Sequence, residues 1–227
     1  MTITLITGAN KGLGFETARQ LIARGHTVYL GSRDPERGAA AAAALDAAFV
    51  QLDVTSDESV AAAIKELPGL DVLINNAGIP GGFKDPAKTT ADDLRLVYET
   101  NVFGLVRVTQ AALPLLARSA SPVIVNVSSG MGSLAITTDP ERLESTLVGL
   151  AYPSSKTAVN MLTSMYAKAF PAIRINAVDP GYTATDLNGH RGTQTVAEGA
   201  APIVAMATID ADGPTGAFIG SAGVLPW

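Results

Sequence analysis

The chain has 227 residues, of which 47% are hydrophobic and 16% charged, with a net charge of −5 at pH 7 and no cysteine. This composition excludes an intrinsically disordered chain, disulfide bonds and thiolate metal sites, and it disfavours non-specific binding to nucleic acid or to an anionic membrane. Residues 1–6 lack the features of a signal peptide, and no apolar run approaches the roughly 18 residues of a membrane span. We therefore expect a cytoplasmic protein with one domain over residues 1–227 and no nucleic-acid or membrane partner.

Short apolar runs alternate with longer stretches of helical pattern along the whole chain. The apolar runs predict strands at residues 3–7, 27–31, 49–52, 71–75, 122–127, 173–178 and 217–220. The stretches between them predict helices at residues 12–24, from 35 through the alanines 39–44, 57–67, 91–118 with a break at Pro114, 151–170, and after 195. Strands that are apolar throughout are buried on both faces. The alternation therefore predicts an α/β fold, a single doubly wound parallel sheet of the Rossmann type with helices on both faces.

Two connections follow the carboxyl ends of predicted strands. Residues 130–149 separate the fifth strand from the helix at 151–170, and residues 182–192 follow the sixth strand. We predict both as loops. Because ligands bind outside the carboxyl ends of the strands in open parallel sheets, we expect these loops to border a binding site.

The first predicted strand ends in a glycine-rich turn, Thr7-Gly-Ala-Asn-Lys-Gly-Leu-Gly14. Its three glycines permit a tight turn and a close approach of the backbone to a pyrophosphate, which the N–H groups at the start of the next helix would face. The spacing differs from the common G-x-G-x-x-G fingerprint. A plain strand-to-helix connection is the alternative interpretation, but the position between a strand and a helix favours phosphate binding.

Tyr152 and Lys156 stand four residues apart at the start of a predicted helix, a spacing that puts two side chains on one face. A phenol titrates near pH ~10, and a neighbouring ammonium lowers that pKa toward the range useful for acid–base catalysis. Pro153 fits the first helical turn, where its missing N–H is harmless. Such a pair also occurs by chance, so its function depends on the rest of the site.

Seven motifs in sequence order resemble those of the short-chain dehydrogenase/reductase family, and the glycine turn resembles that of its carbonyl reductases. They are Thr7-Gly-x3-Gly12-x-Gly14, Asp53-Val54, Asn75-Asn-Ala-Gly78, Asn101 in Glu-Thr-Asn-Val, Val125-Asn-Val-Ser-Ser129, Tyr152-x3-Lys156 and Asp179-Pro-Gly-Tyr-Thr-Ala-Thr185. The matches span nearly the whole chain. The resemblance implies an oxidoreductase that interconverts a carbonyl (ketone, aldehyde or quinone) and an alcohol by hydride transfer with a nicotinamide cofactor.

The resemblance also implies four catalytic residues. Tyr152 would be the acid in reduction and the base in oxidation, and Lys156 would contact the nicotinamide ribose and lower the pKa of Tyr152. Of the neighbouring hydroxyls Ser128 and Ser129, the family pattern favours Ser129 as the one that hydrogen-bonds the substrate oxygen. Asn101 would hold a water or a backbone kink that links Lys156 to solvent.

A set of cofactor-binding residues follows from the same resemblance, in addition to Tyr152 and Lys156. It comprises Gly8, Asn10, Lys11, Gly12, Leu13 and Gly14 in the glycine turn, Ser32 and Arg33 after the second strand, Asp53 and Val54 beside the adenine, Asn76, Ala77 and Gly78 after the fourth strand, and Pro180, Gly181, Thr183 and Thr185 beside the nicotinamide. No cluster of His, Asp or Glu in the sequence indicates a metal site.

The end of the second strand, Leu30-Gly-Ser-Arg-Asp34, bears on the choice between NAD and NADP. Ser32 stands where NAD-using relatives carry the acid that binds the ribose 2′-OH, and the guanidinium of Arg33 suits a 2′-phosphate. Lys11 adds a second positive charge. We expect NADP(H). The alternative is that Asp34 supplies the acid one residue later and Arg33 is merely solvated.

The stretch between Ser129 and Tyr152 is longer than in most of the family and resembles the carbonyl reductases in this respect. It precedes the helix that many relatives pack against a partner, so the assembly stays open between a monomer, a homodimer and a homotetramer. The expected partner is otherwise a small carbonyl or alcohol substrate. The alternative function is a non-catalytic NADP(H)-binding sensor of the same fold, but the presence of Ser129, Tyr152 and Lys156 favours the enzyme.

Overall fold

The computed structural model describes residues 2–82 and 84–227. Its strands are β1 (Ile3–Thr7), β2 (Thr27–Ser32), β3 (Ala48–Gln51), β4 (Val72–Asn75), β5 (Val123–Val127), β6 (Arg174–Val178), β7 (Phe218–Gly220) and β8 (Gly223–Val224). Within the described residues they form one eight-stranded sheet in the order β3-β2-β1-β4-β5-β6-β7-β8. Neighbouring strands are parallel except β7 and β8, which are antiparallel. Each of the first seven strands begins and ends within one residue of its predicted bounds.

Helices connect the strands and cover both faces of the sheet. They are α1 (Gly12–Ile22), α2 (Pro35–Leu45), α3 (Asp57–Glu66), α4 (Ala91–Tyr98), α5 (Gly104–Leu116), α6 (Leu134–Thr138), α7 (Ala151–Ala169) and α8 (Val196–Ala207). One hydrophobic cluster joins the sheet to α1, α2 and α8, and a second joins it to α3, α5 and α7. Neighbouring residues of one strand serve opposite faces, since Leu5 belongs to the second cluster and Ile6 to the first. The predicted doubly wound α/β fold is confirmed.

The strand order reverses between β1 and β4. From β1 the chain winds outward through β2 to β3 and then returns to β4 on the other side of β1. The adjacent helices leave a crevice at such a reversal, outside the carboxyl ends of the strands. Thr7 ends β1 and Asn75 ends β4, so the glycine turn and the Asn75–Gly78 motif both follow strands at this crevice.

The long helix predicted over residues 91–118 is interrupted, but not where we expect. A π turn over Glu99–Phe103 separates α4 from α5, while Pro114 lies inside α5. The break predicted at Pro114 is therefore wrong. The side chain of Asn101 accepts the N–H of Ile79 at 2.9 Å and donates to its C=O at 3.0 Å. This long-range anchor lies in the π turn, and π turns of this kind often mark functional sites.

Residues 130–149 are not the plain loop that the sequence predicts. They contain 3₁₀ turns at Gly130–Gly132 and Leu143–Thr146 and the short helix α6. The hydroxyl of Ser133 accepts the N–H of Ile136 at 3.0 Å and thereby caps α6. A helix of this length shows too little periodicity to be recognised in the sequence.

The C-terminal residues return to the sheet. The N–H of Leu225 donates to the C=O of Phe218 at 2.7 Å, and the ring of Trp227 stacks on that of Phe218 with 5.5 Å between centroids. The two-residue strand β8 escapes prediction because it is too short to show an alternating pattern. None of the helices described for this chain is long and apolar enough to cross a membrane.

Candidate active site

The glycine turn between β1 and α1 has the backbone that its sequence predicts. Gly8 and Gly12 have positive φ angles of 64° and 57°, a conformation that favours glycine. A Cβ on Gly14 would lie 2.5 Å from Asn76 Nδ2 and 2.8 Å from the Gly8 carbonyl oxygen, so only glycine fits there. Lys11 precedes α1 and makes no side-chain capping bond to the helix. The first N–H groups of α1 therefore face the crevice with no cap from Lys11, which is the arrangement that binds anions.

The segment after β4 is fastened to this turn. The hydroxyl oxygen of Thr7 accepts the N–H groups of Asn76 at 3.0 Å and Ala77 at 2.9 Å. The side-chain amide of Asn76 donates to the carbonyls of Thr7 at 2.8 Å and Gly8 at 3.1 Å. These bonds position one wall of the crevice against the other. Gly78 follows beside the candidate catalytic groups, since a Cβ there would lie 3.8 Å from Lys156 Nζ.

The polar residues at and after the end of β2 differ in their exposure and hydrogen bonds. The buried hydroxyl of Ser32 donates to the carbonyl of Asp34 at 3.0 Å, and the side chain of Arg33 is exposed. The carboxylate of Asp34 caps α2 by accepting the N–H of Arg37 at 3.0 Å, and its second oxygen lies 3.3 Å from Arg37 Nε. Asp34 is thus engaged by its own helix, which weakens the alternative in which it binds a ribose.

A surface groove of about 510 Å³ runs beside the glycine turn, and Arg37 lines it together with Asn10, Lys11, Phe15, Ala40, Ala41 and Asp186. Sequence reasoning missed Arg37. Its position in the first turn of α2, four residues after Arg33, was the available signal, but only the fold shows that α2 borders the groove. The groove carries both cationic and anionic groups, because Asp186 lies in it as well.

Lys11 is paired across the crevice with the segment that follows β6. Its Nζ lies 2.6 Å from Asp186 Oδ2, and His190 Nε2 lies 2.7 Å from Asp186 Oδ1. The hydrogen bond from Lys11, followed by that from His190, holds the pKa of the exposed Asp186 carboxyl below its usual range. Thr185 also faces the turn, because a Cβ on Gly12 would lie 3.8 Å from Thr185 Cγ2. Residues 182–192 thus lie against the glycine turn.

The remaining residues of that segment form a tight local structure. Gly181 has a positive φ of 72°, and the buried Thr183 donates its hydroxyl hydrogen to the carbonyl of Pro180 at 3.1 Å. Gln194, which sequence reasoning missed, donates to Thr183 Oγ1 at 2.8 Å. The hydroxyl of Thr183 is therefore committed to the protein, and so are its backbone groups, since its N–H donates to the Gly181 carbonyl at 2.9 Å and its C=O accepts from Asn188 Nδ2 at 2.9 Å.

The adenine-side residues predicted after β3 lie at the edge of the crevice. Asp53 Oδ1 accepts the N–H of Thr55 at 2.9 Å and its hydroxyl at 2.7 Å. Val54 is buried, and a Cβ on Gly104 would lie 2.8 Å from its Cγ2. Leu13, at the start of α1, packs against the hydrophobic cluster on the first face of the sheet. The cofactor contacts of these three residues remain predictions.

The two hydroxyls that end β5 differ in their surroundings. Ser128 is buried and donates to Asn160 Oδ1 at 2.5 Å, so its hydroxyl is engaged inside the protein. Ser129 is only partly buried, accepts the N–H of Met131 at 3.2 Å, and lies close enough to the phenol of Tyr152 to lower its pKa. Ser129 is therefore the hydroxyl that stands beside Tyr152.

Tyr152 and Lys156 lie on the first turns of α7. Lys156 is buried, its Nζ donates to the Val127 carbonyl at 2.8 Å, and it lies 5.6 Å from the centroid of the Tyr152 ring. Burial lowers the pKa of Lys156 to about 8. Burial likewise raises the pKa of Tyr152 to about 12, although the nearby hydroxyl of Ser129 opposes this. The pKa of Tyr152 therefore lies above that of a free phenol and not below it as expected, because burial and then the charge of Asp179 raise it.

Asn101 is a buried anchor rather than an open polar group. In addition to its two bonds to Ile79, its amide donates to Ser155 Oγ at 3.0 Å. A cavity of about 10 Å³ lies between Asn101 and Lys156, and it is also lined by Asn75. A single water needs about this volume. The Asn75 Oδ1 atom is buried without a hydrogen-bond partner in the part of the chain that the structure describes, so the cavity has a polar wall.

The structure brings most of the predicted residues to one edge of the sheet, at the carboxyl ends of β1, β4, β5 and β6. Two ionisable groups near Ser129 escape the sequence prediction of the site, Asp179 after β6 and Glu144 on the 130–149 segment. Residues 2–82 and 84–227 contain no group of three or more His, Asp or Glu side chains that could hold a metal ion.

Known proteins resemble this chain over nearly its full length. The model of the short chain dehydrogenase family matches residues 2–195. The chain is 38% identical over 223 residues to the short-chain dehydrogenase anuI of Penicillium roqueforti, with 91% of this chain and 88% of that protein covered. It is 33% identical over 276 residues to carbonyl reductase (NADPH) 1 of Mus musculus, with 99% and 98% covered. The structure of salutaridine reductase from Papaver somniferum matches with a TM-score of 0.83 and 30% identity, covering 96% of this chain and 99% of that one.

Proposed function

The chain belongs to the short-chain dehydrogenase/reductase family, and on this basis we propose that it is an NADP(H)-dependent oxidoreductase that interconverts a ketone, aldehyde or quinone with an alcohol. The observation that carries the proposal is the grouping of Ser129, Tyr152 and Lys156 beside the glycine turn. The turn fits a dinucleotide, because Gly14 has no room for a Cβ and the N–H groups of α1 face the crevice. The named carbonyl reductase relative supports the reaction class.

The protein groups act on the substrate oxygen in this mechanism. When bound, the nicotinamide supplies the hydride in reduction and accepts it in oxidation. Ser129 and Tyr152, whose hydroxyls lie near each other, hold the carbonyl oxygen, and Tyr152 protonates it as negative charge develops. With a pKa of about 12, Tyr152 carries its proton at neutral pH, as an acid for reduction must. Lys156 orients the ribose, and its ammonium stabilises the phenolate that Tyr152 becomes when it gives up its proton.

Arg33 tests the preference for NADP. We expect Arg33→Asp to lower kcat/KM with NADPH by about 10–100-fold, because a charge-assisted hydrogen bond contributes about 1.5–3 kcal/mol, and to leave or improve the value with NADH. Steady-state kinetics with both cofactors measure this. Arg24→Asp is the matched control, since Arg24 is exposed like Arg33 but precedes β2, at the opposite edge of the sheet from the glycine turn. An unchanged ratio of the two cofactors in Arg33→Asp, or a wild-type preference for NADH, would contradict NADP use.

Arg37 extends the same test. Because Arg37 lines the groove, we expect Arg37→Ser to lower kcat/KM with NADPH as well. Because the guanidinium also pairs with Asp34, a smaller effect than that of Arg33→Asp is expected.

The neighbouring serines separate a catalytic from a structural hydroxyl. We expect Ser129→Ala to lower kcat by about 10²-fold, as the loss of one donor to a developing oxyanion does, with little change in stability. Ser128→Ala should instead lower the free energy of unfolding by about 1–3 kcal/mol, because Asn160 loses its buried donor. Measurements of turnover and of urea denaturation for both variants show which hydroxyl is catalytic and which is structural. The reverse pattern would exchange the roles of the two residues.

The proposed function itself is tested by NADPH oxidation with a panel of aldehydes, ketones and quinones. An oxidoreductase of this type consumes NADPH with at least one member of the panel. In a non-catalytic sensor, NADPH binding raises the melting temperature of the protein, but no carbonyl in the panel causes NADPH oxidation. That second outcome would contradict the proposed enzyme and support the sensor.

A further inference from the structure

Asp179 is a buried carboxylate at the junction of the two loops that carry the candidate site. It follows β6 directly, and its N–H donates to the carbonyl of Ile219 at 2.8 Å. Its Oδ1 accepts the N–H of Gly181 at 3.0 Å, and its Oδ2 borders Gly130, because a Cβ on that residue would lie 3.3 Å away. Gly130 is the residue after Ser129. One side chain therefore contacts the backbone beside Ser129 and binds Gly181, which directly precedes the 182–192 segment.

Glu144 brings a second carboxylate to the same place from the 130–149 segment. A Cβ on Gly130 would lie 2.7 Å from Glu144 Oε1 and 3.3 Å from Asp179 Oδ2, so both oxygens border one point. Glu144 is itself 3.5 Å from Arg142 Nε. Burial, and then the nearby Glu144, raise the pKa of Asp179, while the N–H groups of Gly181 and Gly130 and the charge of Arg142 oppose the rise.

The charge of Asp179 acts electrostatically on Tyr152 and Lys156 of α7. It favours the ammonium of Lys156 and opposes the phenolate of Tyr152, so it raises the pKa of both groups. The ionisable groups that face Asp179 are thus Tyr152 and Lys156 from α7 and Glu144 and Arg142 from the 130–149 segment. The third neighbour, β7, contains no ionisable residue.

We propose that Asp179 is a positioning residue of the reaction centre, which holds the backbone beside Ser129 and supplies a fixed negative charge to the Tyr152–Lys156 pair. This inference rests on the proposed function. In this arrangement Glu144 connects the 130–149 segment electrostatically to the site. The negative charge keeps Lys156 protonated, and it keeps the proton on Tyr152 until the substrate oxygen takes it.

Replacement of Asp179 by asparagine tests the charge separately from the geometry. The amide keeps an oxygen that accepts the N–H of Gly181 but removes the negative charge. We expect the titration midpoint of Lys156, followed by NMR of ¹³C-labelled lysine and assigned with Lys156→Arg, to fall by about one pH unit from its value near 8. We also expect the rise of alcohol oxidation with pH, which reports deprotonation of Tyr152, to move to lower pH.

Two further variants keep the proposal falsifiable. Glu141→Gln removes the same charge from an exposed position on the same segment and should leave both titrations unchanged. Glu144→Gln should lower the midpoint of the Asp179 carboxyl in ¹³C NMR, and it serves as the test if Asp179→Asn does not fold.

The outcomes separate the inference from the proposed function. If Asp179→Asn loses stability but leaves the Lys156 titration and the pH profile in place, Asp179 is only a structural carboxylate and the proposal is overturned. An Asp179 midpoint that does not respond to Glu144→Gln overturns the link to the 130–149 segment. A wild-type protein that reduces no carbonyl defeats the proposed function alone, because the NMR titrations do not depend on turnover.

Discussion

Tyr152→Phe is expected to lower kcat for carbonyl reduction by about 10²–10⁴-fold, the usual contribution of positioned acid catalysis. The substitution removes only the hydroxyl that donates the proton. Without it, the negative charge that develops on the substrate oxygen meets Ser129 alone. The phenyl ring keeps its place in the site, so binding of NADPH should change little. Single-turnover NADPH oxidation and cofactor titration by fluorescence measure the two quantities separately.

Tyr166→Phe is the matched control for this substitution. Tyr166 lies on the same helix, α7, and stacks on Phe170 with 6.2 Å between ring centroids, away from the candidate site. Its loss of a hydroxyl should leave turnover unchanged. If Tyr152→Phe retains more than about a tenth of the wild-type kcat, another group is the acid, because one tenfold step is far below the usual contribution.

Asn101→Ala is expected to lower the free energy of unfolding by about 2–4 kcal/mol, since buried groups that lose a partner cost about 1–3 kcal/mol each. The amide of Asn101 satisfies the N–H and C=O of Ile79 and the hydroxyl of Ser155. Alanine at position 101, in the middle of the π turn, leaves these three groups without their hydrogen-bond partner. Turnover should fall as well, because Ser155 adjoins Lys156 in the sequence and the small cavity beside Lys156 loses part of its wall.

Urea denaturation measures the change in the free energy of unfolding, and two further variants serve as comparisons. Gln51→Ala truncates an exposed amide at the end of β3 and should alter the free energy of unfolding by less than about 0.5 kcal/mol. Asn101→Asp keeps the acceptor for Ile79 N–H but, when ionised, places a buried charge against the Ile79 carbonyl, so it should be at least as destabilising as Asn101→Ala. A loss below about 1 kcal/mol in Asn101→Ala would mean that the π turn does not depend on this side chain.

The strands of the fold could be predicted closely because their signal is local. Each of the first seven is a short, largely apolar run, and β1 and β5 are rich in β-branched residues, as burial within a parallel sheet favours. The start of α3 also has a local signal, because the hydroxyl of Ser56 caps the helix by accepting the N–H of Ser59 at 3.1 Å. Helix α6 and strand β8 lacked such a signal because they are too short.

The candidate site likewise has features with a local sequence signal and features that depend on residues far apart in the sequence. The glycine turn and the Tyr152–Lys156 spacing are local requirements of backbone conformation and helix geometry, so sequence reasoning could identify them. The separation of Ser128 from Ser129 depends on Asn160, thirty-two positions from Ser128. The pairing of Lys11 with Asp186 spans 175 positions, and no spacing rule connects them.

The sequence by itself determined the alternation of strands and helices, the doubly wound sheet and the residues that begin and end its loops. Only the tertiary structure decided that the long helix breaks at the π turn rather than at Pro114, that Arg37 borders the groove, and that Asp179 and Glu144 meet beside Ser129. The reason is physical. Periodicity and glycine conformation are properties of neighbouring residues, whereas buried hydrogen bonds and the charges that shift the pKa values of Tyr152 and Lys156 arise from groups that meet only when the sheet is assembled.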